Sequence, residues 1–463
     1  MVFSSITFLF YFLPLVLLVY FIFHKKGRNV VLLIASLFFY FYGEPKYIIV
    51  LILSCILNYW FGKRIEKDRK HAKSYLIVNL ILNFGMLFYF KYFNFVIQNI
   101  NGLFHTNFSI LSIVMPIGIS FFTFQATSYT IDIYRQKVSS AKNLWTFATY
   151  LALFPQLIAG PIVRYETVSE ELEHRQETKQ EVAQGIQRFI IGLSKKVLIA
   201  NVIGELIAIL TDLNTTTVLA TWVTAIAITL QLYFDFSGYS DMAIGLGLMF
   251  GFHFLENFNY PLIAKSITDF WHRWHISLSS WFKDYVYIPL GGNRKGKLRQ
   301  YWNILIVWLL TGLWHGANWN FIFWGLYFAV FLILEKAFLK DYLTKHPIFA
   351  HTYTFLLIIV SFVIFHFEDL NTLGQFLKNM FGFGHIAFSN VETIYYLRSY
   401  GIVLILAIVA MTPIKKVIEQ LTKKARWKKR IDRIEPFYYI ILFLMCIAFL
   451  VDESFNPFLY FRF

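Results

Sequence analysis

Long runs of apolar residues, separated by short polar segments, recur along the whole chain. The runs lie near 6–23, 29–42, 47–62, 75–97, 110–131, 187–210, 216–234, 302–316, 319–335, 353–367, 399–413 and 437–451, with a glycine-rich run near 240–254. A helix needs about 20 apolar residues to cross a hydrocarbon core about 30 Å thick, so some of these runs are too short to cross alone. The pattern predicts an all-α, polytopic integral membrane protein with about eleven transmembrane helices, together with re-entrant and amphipathic helices.

Two stretches interrupt this pattern. Leu153–Arg164 carries two prolines and a glycine within a short apolar run, which predicts a re-entrant loop because irregular backbone in a membrane must be covered by protein or line a cavity. The acidic residues of Glu166–Glu181, which follow, are expected to form a solvated face. In 231–251, Asp235 and Asp241 bracket a break rich in serine and glycine. These two carboxylates either cap the next helix or line a site.

The composition agrees with a membrane protein and decides how the charge is interpreted. Of the 463 residues, 57% are hydrophobic and 15% are charged, and the formal net charge is +15. The basic residues cluster between apolar runs, which is the positive-inside pattern of membrane topology, so we expect no nucleic-acid partner. The pattern predicts a cytoplasmic side for Lys265–Arg299, an outer side for both termini, and an amphipathic helix on anionic lipid over 414–433.

A single histidine stands in an apolar stretch where an ionisable side chain is costly. Tyr301–Leu334 contains no Asp, Glu, Lys or Arg, and His315 is its only side chain that titrates near neutral pH. Such a group indicates a functional site, although a neutral histidine that bonds a carbonyl and holds two helices together remains an alternative. As one helix the stretch would exceed the membrane thickness, so we expect a break at Gly312, Gly316 and Asn318.

Tryptophan is concentrated around this histidine and in the segment before it. Eight of the 12 tryptophans lie within 271–324, whereas interfacial belts would spread them over many helix ends. The concentration predicts an aromatic-walled site. Residues 266–287 repeat apolar side chains at three- and four-residue spacing, which predicts one amphipathic helix that carries His275 at the cytoplasmic boundary.

A glycine-rich basic loop over 287–297 follows that predicted helix. Its backbone N–H groups and basic side chains suit phosphate groups, but the same residues also satisfy the positive-inside rule. His272 and His275 superficially resemble metal-ligand spacing, yet no Cys or local carboxylate completes a ligand set. We therefore expect no metal.

Three motifs resemble those of the membrane-bound O-acyltransferases. They are DFWHRWHISLS at Asp269–Ser279, DYVYIPLGGN at Asp284–Asn293 and LWHG at Leu313–Gly316. Supporting stretches are Phe154–Arg164, Tyr233–Asp241 and the terminal segment 456–463. The likeness covers essentially the whole chain and is most specific in 230–325. Within that family, the chain most resembles the bacterial branch whose members acetylate alginate or peptidoglycan.

The resemblance implies a fold and a reaction that the residue pattern alone does not give. It implies one membrane-embedded acyltransferase domain over 1–463, with helices around a central funnel or tunnel. Within it we expect N-terminal helices over 1–135, a catalytic core over 136–335 and C-terminal helices over 336–463. It also implies the bacterial cytoplasmic membrane as location, acetyl-CoA as cytoplasmic donor and no permanently bound cofactor. An extracytoplasmic partner of the lipase/esterase type would complete transfer to a polysaccharide acceptor.

Residue roles follow from the same resemblance. His315 matches the family's essential histidine and His275 its second motif histidine, so we expect both to be catalytic. His315 would act as general base or as a transient acyl carrier, while His275 would orient the donor or a water and Asn318 would polarise the thioester carbonyl. The residues expected to bind substrate or donor are Trp274, Trp281, Lys283, Asn293, Arg294, Trp314, Asn318 and Asp235.

Two other classes of function stay open at this point. A transporter or flippase-like export component would have no acyl chemistry of its own. It would more naturally show inverted repeats with paired broken helices, which this sequence does not show. A structural scaffold of an export complex would use His315 only for packing. Alginate, peptidoglycan, cellulose and other exopolysaccharides all remain candidates for the acetylated polymer.

Overall fold

Most of the residues that the computed structural model describes are helical. It describes residues 1–213, 215–414, 417 and 425–452, and the side chains of all of these except 425–432. These residues contain no β-strand. The α-helices are α1 Leu13–Ile22, α2 Arg28–Gly43, α3 Ile48–Lys67, α4 Ala72–Leu87, α5 Phe93–Phe104, α6 Ile119–Tyr134, α7 Leu144–Ala152, α8 Phe154–Leu157, α9 Tyr165–His174, α10 Lys179–Ser194, α11 Val202–Thr211, α12 Val218–Met249, α13 Ile267–Arg273, α14 Ile276–Phe282, α15 Lys297–His315, α16 Trp319–Leu334, α17 Lys340–Lys345, α18 Pro347–His366, α19 Leu370–Met380, α20 Val391–Ser399, α21 Gly401–Ala410 and α22 Ala425–Asp452.

Six helical stretches among the described residues are long and apolar enough to cross a membrane, or seven if α20 and α21, which are bent by 56°, form one span. The six are Ile48–Lys67, Ala72–Phe104, Val218–Met249, Trp319–Lys345, Pro347–His366 and Arg433–Asp452. The predicted all-α membrane class is confirmed, whereas the predicted count of about eleven spans is not. The predicted runs at 29–42 and 110–131 show why, because each yields a helix of 16 residues, shorter than the roughly 20 that a straight span needs.

The described residues fold into two compact units, and the first contains Met1–Phe189 and Tyr239–Glu256. In this unit α3 packs against α4, α6 and α7, and α2 packs against α7 and α8. Phe154 lies at the centre of a phenylalanine core, in ring contact with Phe8, Phe12 and Phe39. The burial of these large rings, each about 150–250 Å² in area, is a main source of this unit's packing energy.

The segment Leu153–Arg164 is covered by protein, as irregular backbone in a membrane protein has to be. Its only helix, α8, has four residues, and residues 153–163 are buried. The hydroxyl of Ser36 accepts a hydrogen bond from the backbone N–H of Phe154 at 3.1 Å, and the hydroxyl of Tyr150 donates to the carbonyl of Val163 at 2.9 Å. Its re-entrant course through the membrane stays a prediction.

The expectation of a merely solvated acidic face over Glu166–Glu181 is wrong for Glu177. Its side chain is 4% exposed and forms an ion pair with Arg28 at 2.5 Å. The hydroxyl of Tyr20 donates to the same carboxylate, and the Nε of Arg175 donates to that hydroxyl at 2.9 Å. A buried carboxylate needs such partners because its desolvation is otherwise too costly. Much of the segment is also helical, as α9 and the start of α10.

The second unit contains Ile190–Gly238 and the described residues from Asn257 onward. Its centre is the helical hairpin α15–α16, and α13 and α18 pack against α16. A separate apolar cluster joins α12, α18 and α19 through Ala225, Val363 and Met380. The hairpin and its neighbours carry both histidine motifs, so this unit positions the candidate site.

The break predicted within 231–251 is wrong, because α12 runs without interruption from Val218 to Met249. Glycine here provides close helix packing instead of a turn. A Cβ at Gly238 would lie 2.8 Å from the carbonyl oxygen of Gly192, closer than Cβ atoms ordinarily come to a neighbour. Asp235 and Asp241 therefore lie inside a helix, and neither caps one.

The single amphipathic helix predicted over 266–287 is also divided. It consists of α13 and α14, with His275 between them in the left-handed region at a φ of 43°. A π-helical turn over Lys283–Tyr287 follows. The spacing of the apolar residues is helical on both sides of the kink, so periodicity alone did not reveal it.

Several predictions fall outside the described residues or are not tested by them. The terminal segment 456–463 lies wholly outside. The predicted amphipathic helix over 414–433 is described only at 414, 417 and 425–433, and α22 begins within it at Ala425. The membrane orientation, the funnel and the predicted boundaries after 135 and 335 stay predictions.

Candidate active site

His315 is the last residue of α15, at the turn of the α15–α16 hairpin. The expected break is confirmed at Gly316 and Asn318, because α15 ends at His315 and α16 begins at Trp319, whereas Gly312 lies inside α15. Asn318 is the N-cap of α16 and accepts a hydrogen bond from the backbone N–H of Trp319 at 2.6 Å. Asparagine is a favoured residue at this position because its side chain satisfies a free N–H of the first turn.

Close packing of the two helices buries the end of α15. A Cβ at Gly312 would lie 2.3 Å from the carbonyl oxygen of Phe321, and one at Gly325 would lie 2.4 Å from that of Trp308. Only glycine allows backbones to approach this closely, as in other helix pairs of membrane proteins. His315 is in consequence 2% exposed.

Aromatic rings surround the imidazole of His315. Its ring centroid lies 5.0 Å from that of Trp314, 4.9 Å from that of Trp324 and 5.2 Å from that of Phe365, and the ring planes are nearly perpendicular. Edge-to-face packing of this kind fixes the orientation of a ring. The site therefore holds a titratable side chain in a defined orientation, within a wall of low polarity.

His275 is also buried, and it has a polar partner. It is 0% exposed, and its Nδ1 lies 3.1 Å from the Oδ1 of Asn257. The ring of Phe236, from α12, packs against it at 4.7 Å. His275 lies outside the helices that are long and apolar enough to cross a membrane. Burial lowers the pKa of His275 to about 3, so its ring is neutral at physiological pH.

Trp314 is the neighbour that the two histidines share. Its ring centroid lies 5.8 Å from that of His275 and 5.0 Å from that of His315. The structure thus brings together three of the predicted site residues from two separate sequence motifs. An indole between two imidazoles is a compact, rigid arrangement, and such rigidity favours positioning of a reacting group.

Trp274 belongs to the same aromatic layer. It packs on Phe236 with a centroid distance of 6.3 Å, and Phe236 in turn contacts His275. Trp281 is buried and packs against Tyr285 at 5.1 Å. Trp271, Trp308 and Trp324 contact one another at 4.5–6.1 Å. The aromatic wall predicted from the tryptophan cluster is therefore present, although Trp302 and Trp319 are exposed.

Asp235 takes part in a buried ion pair. Its carboxylate lies 2.5 Å from the Nζ of Lys196, and the two side chains are 2% and 4% exposed. Asp235 is one residue before Phe236 in α12, and neighbouring residues of a helix point to different sides. Lys196 was not recognised from the sequence, although it lies within the apolar run near 187–210, where a charged side chain is costly and indicates a partner.

The basic loop over 287–297 lies at the surface, whereas the two histidines are buried. Lys283, Asn293 and Arg294 are exposed. Gly291, Gly292 and Gly296 have φ values of 105°, 56° and 88°, which only glycine adopts without strain. The side-chain amide of Asn303 fastens the loop by donating to the carbonyl of Gly292 at 2.8 Å.

Besides Phe236, sequence reasoning missed two further residues of the site. Asn257 binds His275, and Phe365 contacts His315. Asn257 stands in the polar stretch before the first motif, and such a buried asparagine had no separate signal. Phe365 is one of 52 phenylalanines, so its type carried no information about position.

Comparison with known proteins shows which family the chain is similar to. Residues 47–374 match the model of the membrane-bound O-acyltransferase family. A probable alginate O-acetylase from Azotobacter vinelandii is 39% identical, and the alignment covers 100% of both chains. A peptidoglycan O-acetyltransferase from Helicobacter pylori is 36% identical over 85% of this chain and 82% of its own.

A teichoic acid D-alanyltransferase from Bacillus subtilis is 30% identical over 55% of this chain and 67% of its own length. The similarity to the two O-acetyltransferases therefore extends over more of the chain. Given the family match and the full-length alignment, the chain is an integral membrane acyltransferase and belongs to the membrane-bound O-acyltransferase family.

Proposed function

We propose that the protein moves an acetyl group from cytoplasmic acetyl-CoA across the bacterial cytoplasmic membrane for O-acetylation of an extracytoplasmic polysaccharide. The names of its relatives, an alginate O-acetylase and a peptidoglycan O-acetyltransferase, support the acetyl group and the class of acceptor. The observation that carries the proposal is the pair of buried histidines on one indole ring, His275 and His315 on Trp314, within a membrane-embedded acyltransferase.

His315 acts as the general base in this proposal. One of its ring nitrogens takes the proton of an acceptor hydroxyl as the oxygen attacks the thioester carbonyl. The tetrahedral intermediate then expels the thiolate of CoA, which is protonated as it leaves. Positioned proton transfer of this kind contributes about 10²–10⁴-fold to a rate. A variant of the same chemistry has the His315 nitrogen attack the thioester itself and carry the acetyl group as an acyl-imidazole.

The remaining predicted residues have supporting roles. Lys283, Asn293 and Arg294 bind the phosphate groups of the donor at the surface loop, where their exposure permits contact with a soluble anion. Trp274, Trp281 and Trp314 wall the path of the acyl group. The side-chain N–H of Asn318 polarises the thioester carbonyl while its oxygen caps α16. Asp235 keeps the α12 wall in place through Lys196.

An extracytoplasmic partner of the lipase/esterase type completes transfer to the polymer. The acceptor at the membrane is then a hydroxyl of that partner or of a sugar. A scaffold or a transporter has no need for two buried imidazoles on one aromatic ring, and this favours the enzyme over both.

The first prediction concerns cells that depend on this protein for polysaccharide acetylation. His315→Gln should reduce ester-linked acetate in the envelope polysaccharide to the level of cells without the protein, because glutamine cannot act as the base. The measurement is acetate released by mild alkali, with membrane-inserted protein quantified in parallel. His351→Gln, a change within α18, is the matched control and should leave acetylation unchanged. Normal acetate content with His315→Gln would refute the assignment.

A further inference from the structure

Three hydrogen bonds converge on the side-chain oxygen of Asn257. The backbone N–H of Ser277 lies 3.1 Å from Oδ1, the hydroxyl of Ser277 lies 2.9 Å from it, and the Nδ1 of His275 lies 3.1 Å from it. The backbone carbonyl of Asn257 also accepts the N–H of Ile276 at 3.0 Å. Asn257 thus binds three successive residues of the kink between α13 and α14.

The contact with the backbone N–H of Ser277 determines the orientation of the Asn257 side-chain amide. A backbone N–H can only donate, so the Asn257 atom that faces it must be the oxygen and not the amide nitrogen. The same oxygen faces the Nδ1 of His275, and an amide oxygen can only accept. The hydroxyl of Ser277 lies 3.5 Å from Nδ1, but its one proton is donated to the Asn257 oxygen at 2.9 Å. Nδ1 therefore carries the proton.

The opposite nitrogen of the ring is then fixed as well. Because burial lowers the pKa of His275 to about 3, the ring is neutral and carries one proton. That proton is on Nδ1, so Nε2 has a lone pair and no hydrogen. Nε2 is buried, and among the described residues it has no hydrogen-bond partner. A buried acceptor without a partner destabilises the folded protein, and a hydrogen bond from a bound ligand would remove that cost.

We propose that Asn257 is a positioning residue that fixes His275 as the Nδ1–H tautomer, so that Nε2 accepts a hydrogen bond from an N–H or O–H group of a bound substrate. This inference rests on the proposed function for the identity of the substrates, which are acetyl-CoA and a hydroxyl acceptor. The strained left-handed backbone at His275 supports it, because such strain persists where the surroundings over-determine a conformation, and it clusters at active sites.

Nitrogen-15 spectra of the whole protein, labelled at its 12 histidines, test the tautomer directly. Protonated and unprotonated ring nitrogens have well-separated chemical shifts, and His275→Gln identifies the signals of His275 by difference. We expect an unprotonated Nε2 and a protonated Nδ1 in the unaltered protein. The opposite pattern would overturn the inference, whatever the activity of any variant.

Three variants separate positioning from a merely structural role. Asn257→Leu removes the acceptor, and we expect the two tautomers to mix and acyl transfer to fall about 10- to 100-fold, by analogy with partners that orient metal-bound histidines. Asn257→Asp keeps an acceptor oxygen and should restore the Nδ1–H pattern. Ser277→Ala removes one hydroxyl from the same oxygen and should leave the pattern unchanged. An unchanged tautomer in folded Asn257→Leu protein would contradict the positioning role.

Titration with acetyl-CoA and with an alginate oligosaccharide identifies the substrate that Nε2 meets. A shift of the Nε2 signal with acetyl-CoA assigns the hydrogen bond to the donor, and a shift only with the oligosaccharide assigns it to the acceptor. If neither moves the signal, Nε2 is not a substrate contact and that part of the inference fails. The proposed function is tested separately, since it depends on acetate content with His315→Gln and not on the tautomer.

Discussion

At the residue scale, the two buried histidines differ in what holds them. An amide oxygen orients His275, whereas three aromatic rings enclose His315. Trp314 contacts both and is 4% exposed. Its indole ring therefore packs against both imidazoles, and we expect its volume to matter more than its N–H group.

Truncation of Trp314 tests this point. Trp314→Ala should lower stability by about 3–5 kcal/mol, as expected for loss of a large buried ring, and should reduce acyl transfer at least tenfold. Trp314→Phe keeps a ring in contact with both histidines and should retain most of the activity. The measurements are thermal unfolding in detergent and initial rates of acetyl transfer.

Trp302→Ala serves as the control for Trp314, because Trp302 is on the same helix and is 55% exposed. It should change neither quantity by much. Full activity with Trp314→Ala would show that the indole does not position the histidines.

The sequence identified some of these residues and could not identify others. His315 stood out because an ionisable side chain in an uncharged apolar stretch is expensive. The kink at His275 and its hydrogen bond to Asn257 could not be identified in this way. The two residues are 18 positions apart in the chain, and no local sequence pattern indicates that they meet. Phe236 was hidden for the same reason.

At the scale of elements, the α15–α16 hairpin decides where His315 lies. Its helices approach through Gly312 and Gly325, each of which would place a Cβ less than 3 Å from a backbone oxygen of the other helix. The same residue type had opposite consequences elsewhere: glycine marked the true helix end near His315 but only a packing surface in α12. Composition cannot separate these two uses, because both depend on what lies across from the glycine.

Gly312→Ala should force the hairpin apart. The added methyl group would meet the carbonyl oxygen of Phe321 at 2.3 Å, so we expect a loss of about 1–3 kcal/mol in stability and a loss of activity that follows from the shift of His315. The free energy of unfolding and the rate of acetyl transfer are the quantities to measure.

Gly374→Ala is the matched control within α19. A Cβ there would have no described heavy atom within 4 Å, and glycine to alanine in a helix typically stabilises by about 0.4–1 kcal/mol. An unaltered stability of Gly312→Ala, with Gly374→Ala behaving as expected, would mean that the close approach is not required.

At the scale of the whole molecule, the apolar helices and the family membership agree on a membrane-embedded acyltransferase. The all-α membrane class was predictable, because many long apolar runs in one chain are typical of helices that cross a membrane. The number of spans was not, because some apolar runs form helices of only 16 residues, shorter than the roughly 20 that a straight span needs. Within this architecture, we propose that His315 is the group on which thioester cleavage depends.

Thioester cleavage by the purified, reconstituted protein tests that claim most directly. Acetyl-CoA labelled in its acetyl group would be supplied to vesicles, and CoA release would be followed over a single turnover with a hydroxyl acceptor present. We expect the unaltered protein and His351→Gln to release CoA at equal rates, and His315→Gln to be slower by about 10²–10⁴-fold. Equal rates in His315→Gln and in the unaltered protein would contradict it.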